Sequence, residues 1–159
     1  MDTREQLLES LHRAFDGRSW HGPNLLGAIR GLTPAQAFFR PGPGRHSVYD
    51  LILHAAYWKY VARRRLTGEK RGSFPVNGSN FFPEPASKDA RAVRDARTLL
   101  ESMHLELVQV VEALPDAAFS TQHGPWTAGE MIAGVAAHDL YHAGQIQLVK
   151  RFFGKRRAR

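Results

Sequence analysis

The chain reads as an all-α protein, a four-helix bundle with long connecting loops. Four long stretches carry apolar residues at intervals of three and four, the stripe of an amphipathic helix. No stretch sustains the apolar–polar alternation of a half-buried strand. Capping residues stand where these stretches begin, supplying acceptors to orphan backbone N–H groups. Four such helices in one small domain bury their stripes best against one another.

The first helix is expected over Thr3 to Phe15, with Leu7, Leu8, Leu11 and Phe15 on its buried face and Gly17 ending it. A short helix fits Pro23 to Arg30. Thr33 caps a further turn with Pro34 at its first position. The run PGPGR over 41–45 then breaks the chain.

The second long helix starts at Ser47, with Asp50 as its capping-box partner. Leu51, His54, Trp58 and Val61 form its inward stripe, and Arg63, Arg64 and Arg65 mark a solvated end. Residues 68–85 are rich in Gly, Pro, Asn and Phe. A loop of that length is functional or disordered, and Phe74, Phe81 and Phe82 predict that part of it packs.

The third helix is expected from Ser87 to Ala113, with Val93, Ala96, Leu100, Met103, Leu107 and Val110 in period and Pro115 closing it. The fourth opens on a Thr127–Glu130 capping box and runs to about Phe153. Its stripe is Met131, Val135, His138, His142, Gln145 and Val149. Gly134 and Gly144 interrupt it at about 1 kcal/mol each. Close helix approach is the first explanation, and room beside a metal the second. The domain is read as 1–153, with a basic tail over 154–159.

Composition narrows the chemistry. The chain has 159 residues, 43% hydrophobic, and no cysteine. It is long enough to bury a core. Disulfides, thiolate ligands and a cysteine nucleophile are excluded, which leaves His, Asp and Glu for any metal. The amphipathic N-terminus does not read as a signal peptide, and no apolar run spans a bilayer. A cytoplasmic location is expected. The net charge is +7, but the last ten residues hold six Lys and Arg; without them sixteen basic residues face fifteen acidic ones. Nucleic acid is therefore not expected as a partner beyond weak contacts of the tail.

His54, His138 and His142 all occupy stripe positions. HDLYH places two imidazoles four residues apart, one turn above the other on one face. Each buried ring nitrogen needs a replacement bond, and one metal ion supplies that for three rings at once. A third ligand from a facing helix leaves open positions, the mark of a catalytic metal. Three separate core histidines bonded to carbonyls or tyrosines are the competing reading. Asp50 can orient His54, although capping is its first role. Asp139 lies about 100° around the helix from His138 and points elsewhere. Gln145 faces the site or packs at its edge. His46 and His21 can line a mouth, Arg45 or Lys59 can hold an acidic cosubstrate, and His12, His104 and His123 read as surface or loop residues.

HSVYDLILHAAYW over 46–58 and GVAAHDLYHAGQIQLVKR over 134–151, with WHGPNLLGAIRGLTPAQAFFRP over 20–41, resemble the DinB/YfiT-like superfamily, specifically its DinB-like members. The resemblance covers most of the chain. It implies a four-helix bundle holding a divalent metal on His54, His138 and His142. Family members with known activity are often thiol S-transferases that join a low-molecular-weight thiol, such as bacillithiol or mycothiol, to an electrophile. Others are an isomerase dependent on mycothiol and metal-dependent hydrolases, and homodimers are common.

The expected function is accordingly a metal-dependent S-transferase acting on a small-molecule electrophile, with Zn, Ni, Fe or Mn as the ion and a low-molecular-weight thiol as cosubstrate. A homodimer is expected, and exposed residues near Phe152 and Phe153 would suit one. Hydrolysis by the same open ion is the alternative within enzymes. A non-catalytic stress-related metal-binding or nucleic-acid-binding protein is the alternative outside them.

Overall fold

The computed structural model describes residues 2–157. Four long helices dominate: α1 (Thr3–Phe15), α4 (Val48–Thr67), α5 (Ala90–Ala113) and α6 (Ala128–Arg157), with short helices α2 (Leu25–Ile29) and α3 (Pro34–Ala37) between the first two. The all-α bundle expected from periodicity is what forms.

Local chemistry sets most of the boundaries. Asp2 and Glu5 close a capping box on α1, Thr33 and Gln36 on α3, and Ser47 and Asp50 on α4. Thr127 and Glu130 do the same at the start of α6, where the Glu130 amide donates to Thr127 Oγ1 at 3.2 Å. Gly68 ends α4 at φ 74°, a left-handed cap that a side chain would strain. Asp89 caps α5, so that helix begins three residues after the expected Ser87. α6 continues four residues past Phe153, into the stretch read as a tail; Ala158 and Arg159 lie outside the described residues.

Two departures matter. The chain holds a short antiparallel hairpin, β1 (Gln122–His123) with β2 (Trp126–Thr127), where no strand was expected. Gly124 at φ 74° and Pro125 make its two-residue turn. Two-residue strands are too short to show alternation. The second departure is the burial of α4. Nine successive residues, Val48 to Ala56, are buried, so the helix has no wet face along its first half. The single stripe read from the sequence understates its position, because a helix enclosed by neighbours buries every side.

The core forms two parts. Phe15, Leu25, Ile52, Leu100 and Ile146 anchor one, and Leu11, Leu107, Val111, Phe119 and Ile132 the other. α4 and α6 run antiparallel: Ala62 meets Ile132 in the second part, and His54 faces His138 and His142. Lys59 of α4 and Asp139 of α6 form an ion pair with both side chains fully buried.

Gly134 and Gly144 of α6 do not serve close packing. A Cβ built on Gly134 or Gly144 meets no atom within 4 Å. Gly144→Ala is therefore expected to raise stability by about 0.5–1 kcal/mol. The check is a higher urea midpoint at unchanged slope; a lower midpoint would contradict the open space.

Candidate metal centre

His54 sits in the enclosed half of α4, and His138 and His142 are one turn apart on the facing side of α6. Their rings converge. His54 Nε2 lies 3.0 Å from His138 Nε2, and His142 Nε2 lies 2.9 Å from the same atom. All three donor atoms fall within 4.8 Å of one another. The three residues that the sequence placed on inward stripes are brought together.

The opposite ring nitrogens decide the tautomers. His54 Nδ1 donates to the Asn80 backbone carbonyl at 3.0 Å, and His142 Nδ1 donates to Gln145 Oε1 at 2.7 Å. Neither acceptor can donate back, so both Nδ1 atoms carry the proton and both Nε2 atoms present lone pairs. Two lone pairs thus aim at one nitrogen. A proton on His138 Nε2 serves one of them well and leaves the other opposed. A cation satisfies all three. A tetrahedral ion with bonds of about 2.0–2.1 Å sets its donors about 3.3 Å apart, and the two separations from His138 Nε2 are 3.0 and 2.9 Å. The arrangement fits a metal-binding site.

Electrostatics point the same way. Burial pushes the His138 imidazole down to about 3, aided by the neighbouring His142, His54 and Lys59 charges. Burial also pushes His142 down to about 4, against the opposing bond to Gln145. His54 is lowered as well, chiefly by burial and against its bond to Asn80. All three rings are neutral at pH 7, the form that binds a metal.

The loop between α4 and α5 closes one side of the site. Phe81 stacks on His54 at 4.4 Å between centroids, and His46 stacks on Phe81 at 3.7 Å. Asn80 adopts φ 64° inside a three-residue turn closed by a 2.7 Å bond from the Phe81 amide to the Ser79 carbonyl. Its side-chain oxygen accepts from Trp58 Nε1 at 2.9 Å while its backbone oxygen holds His54. A positive φ outside glycine stores strain, and Asn tolerates it better than most residues. Phe74 and Phe82 pack 5.2 Å apart against Tyr57, which anchors the loop as its phenylalanines predicted.

The other sequence candidates separate clearly. Gln145 faces the site. Asp139 points away from it, as its angular offset required, and is bound to Lys59. Asp50 caps α4 and pairs with Arg40 at 2.8 Å; it does not reach His54. His46 flanks the site through Phe81, whereas His21 is exposed. Lys59 holds no cosubstrate: it is fully buried, and the expectation fails because the amine is consumed by Asp139. Arg45 is exposed and lines a groove of about 720 Å³ on the Gln145 side. His104 is a correction too. It is buried and stacked on Phe15 at 3.7 Å, because its flat ring fills a core position of α5.

The sequence did not reveal Asn80, the stacking of Phe81 on His54 or the partnership of Trp58 with Asn80. The only local signal was Asn after Gly78 and Ser79, a context that favours positive φ. Among the described residues no carboxylate joins the three-histidine group. Among the described residues no helix is long and apolar enough to cross a membrane.

No curated protein and no solved structure matches the chain. The sequence model of the DinB superfamily matches residues 19–146, a span that holds all three converging histidines and the loop that closes over them. The chain belongs to the DinB superfamily.

Proposed function

We propose that this protein is a divalent-metal-dependent thiol S-transferase acting on a small electrophile, with His54, His138 and His142 as the metal ligands. The observation that carries the reading is the convergence of three neutral Nε2 atoms, two of them deprotonated by fixed bonds at the opposite ring nitrogen. Zn²⁺ suits three imidazoles best, and Ni²⁺, Fe²⁺ and Mn²⁺ are alternatives. When bound, the ion supplies Lewis acidity that lowers the pKa of a thiol at an open position.

The residues of the chain do the rest. Three neutral imidazoles add no charge of their own, which favours an anionic fourth ligand. Asn80 and Gln145 hold the rings in one tautomer and orientation. Phe81 and Trp58 shield the His54 side from water. The chain has no cysteine, so the sulfur comes from the cosubstrate. In the transfer that sulfur bonds to the electrophilic carbon, the thiol proton passes to solvent, and the leaving group departs with the bonding pair. Hydrolysis is the second choice, since Asp139 and Asp50 are both committed to cationic partners and, among the described residues, no carboxylate joins the three rings to serve as a general base.

A homodimer is part of the proposal. Tyr141, Leu148 and Phe152 are exposed at helical spacing along α6, an apolar stripe suited to a second copy.

The test is elemental analysis of protein purified without added metal, beside His54→Ala and His142→Ala. About one ion per wild-type chain and a loss of at least about tenfold in affinity in each variant are expected, since a ligand is removed outright. Equal metal content in all three proteins defeats the metal centre. With metal present, turnover of an electrophile panel in the absence of any thiol defeats the transferase assignment.

A further inference from the structure

We propose that the groove beside His138 binds an amphipathic organic anion, with its apolar or aromatic body between Trp58 and Trp126 and its acidic group on Arg65. The inference deepens the transferase reading by naming the chemistry of the molecule that reaches the metal centre, and it rests on that reading for the role of the groove's inner end.

The groove encloses about 280 Å³ between α4, α6 and the hairpin. His138 lines it, so one metal-centre ring is part of its wall. The larger groove on the Arg45 side includes none of the three rings. Val61 and Met131 contribute apolar wall, and Trp58 and Trp126 face it with indoles. Trp126 is 56% exposed, although it sits at a fixed register position in the hairpin opposite His123. An exposed indole fixed on a groove wall is available to a ligand's flat face.

Charge sets the polarity of the occupant. Arg65 lines the groove, and no hydrogen bond or ion pair holds it among the described residues. Its neighbours differ: Arg63 pairs with Glu69 at 3.0 Å and Arg64 donates to the Glu69 carbonyl at 3.2 Å. Glu130 also lines the groove, but its carboxylate accepts from the Thr127 amide at 2.8 Å and hydroxyl at 2.9 Å. The Glu130 carboxylate keeps its charge but is tied through one oxygen to the α6 cap, while the Arg65 guanidinium has no partner among the described residues. A planar guanidinium binds a carboxylate through two parallel hydrogen bonds.

Length is consistent. Met131 precedes His138 by seven residues, and Arg65 follows Trp58 by seven, so the groove runs about 10 Å along the two helices at about 1.5 Å per residue. A phenyl ring with a short alkanoate arm spans that distance.

The test uses phenylbutyrate as the probe, with phenylbutanol and phenylbutylamine as matched controls. Binding is read from tryptophan fluorescence in a Trp20→Phe background, since Trp20 is fully exposed and would dilute the signal. Metal-stripped protein is used first, so the outcome does not depend on the metal centre. Phenylbutyrate is expected to bind at least about tenfold more tightly than either control, and Arg65→Gln to erase that preference while leaving phenylbutanol unchanged. Arg65→Lys should retain part of it. Equal binding of acid, alcohol and amine, no binding of the acid, or an Arg65→Gln protein that still prefers the acid would each overturn the proposal.

A thiol-bearing arylalkanoate then assigns the anion. Tightening on metal loading, unmatched by phenylbutyrate, places the acid on the thiol cosubstrate; equal affinity places it on the electrophile, and both support the anion site. Absence of metal binding in the elemental analysis would defeat the function reading without changing the fluorescence result.

Discussion

Lys59→Met is expected to destabilise the protein by about 3–5 kcal/mol, the cost of leaving a buried charge without its partner. Lys59 and Asp139 are fully buried, and the lysine amine also lies 4.9 Å from the Phe15 ring centroid. Burial lowers the Lys59 pKa and raises that of Asp139, and each partner's charge pulls the other back toward ionisation. Removing the amine strands a carboxylate whose second oxygen already lacks a hydrogen-bond partner. The Lys59→Met/Asp139→Leu pair is expected to recover most of the loss, because replacing both charges removes both desolvation penalties. Urea unfolding of the two single variants and the double variant forms the cycle. A double variant no more stable than the weaker single one would show that the two side chains do not act as a unit.

Asp139 immediately follows His138, and Lys59 lies five residues beyond His54. The ion pair therefore ties α4 to α6 beside the converging rings. A slip of either helix by one residue would break the pair and separate the histidines together.

Metal-free protein should lose stability steeply as the pH falls below about 6.5. His138 is held at about 3, His142 at about 4 and His104 at about 3, the last by burial first and then by Lys59 and His12. In the unfolded chain these rings protonate near pH 6.5. Between that value and the folded ones the unfolded state binds more protons, so unfolding free energy falls as pH falls. The contribution is complete above pH 6.5 and is lost progressively down to about 4 for His142 and about 3 for the other two. Each ring adds up to about 1.4 kcal/mol per pH unit once its unfolded form is fully protonated, so three together approach about 4 kcal/mol per unit. Chelator-treated protein unfolded in urea at pH 7.5 and 5.5 measures the slope. His104→Phe keeps the stacked ring on Phe15 and should remove about a third of it. Stability that stays flat across this window would refute the neutral, buried assignment of the rings. Added metal competes with the same protons, so a metal-loaded sample should release its ion in the acid range.

The bundle was legible because helices are written in local periodicity. Leu7, Leu11 and Phe15, or Leu100, Met103 and Leu107, state a buried face without reference to any other segment. The capping boxes at Ser47 and Thr127 mark helix starts through contacts three residues long. The spacing of His138 and His142 places two imidazoles on one side of α6 for the same reason.

Contacts between distant segments carried no such mark. That His54 meets those rings depends on the packing of α4 against α6, which the stripes made plausible and the fold decided. The partner of His54 Nδ1 is a backbone carbonyl in a loop, and backbone atoms leave no trace in residue identity. Lys59 read as a holder of an acidic cosubstrate because its true complement, Asp139, stands eighty positions away. His104 looked like a surface residue until Phe15 of another helix covered it. Short-range geometry follows from residue order; the choice of which polar groups are buried together is made only when separate elements pack and exclude water from between them.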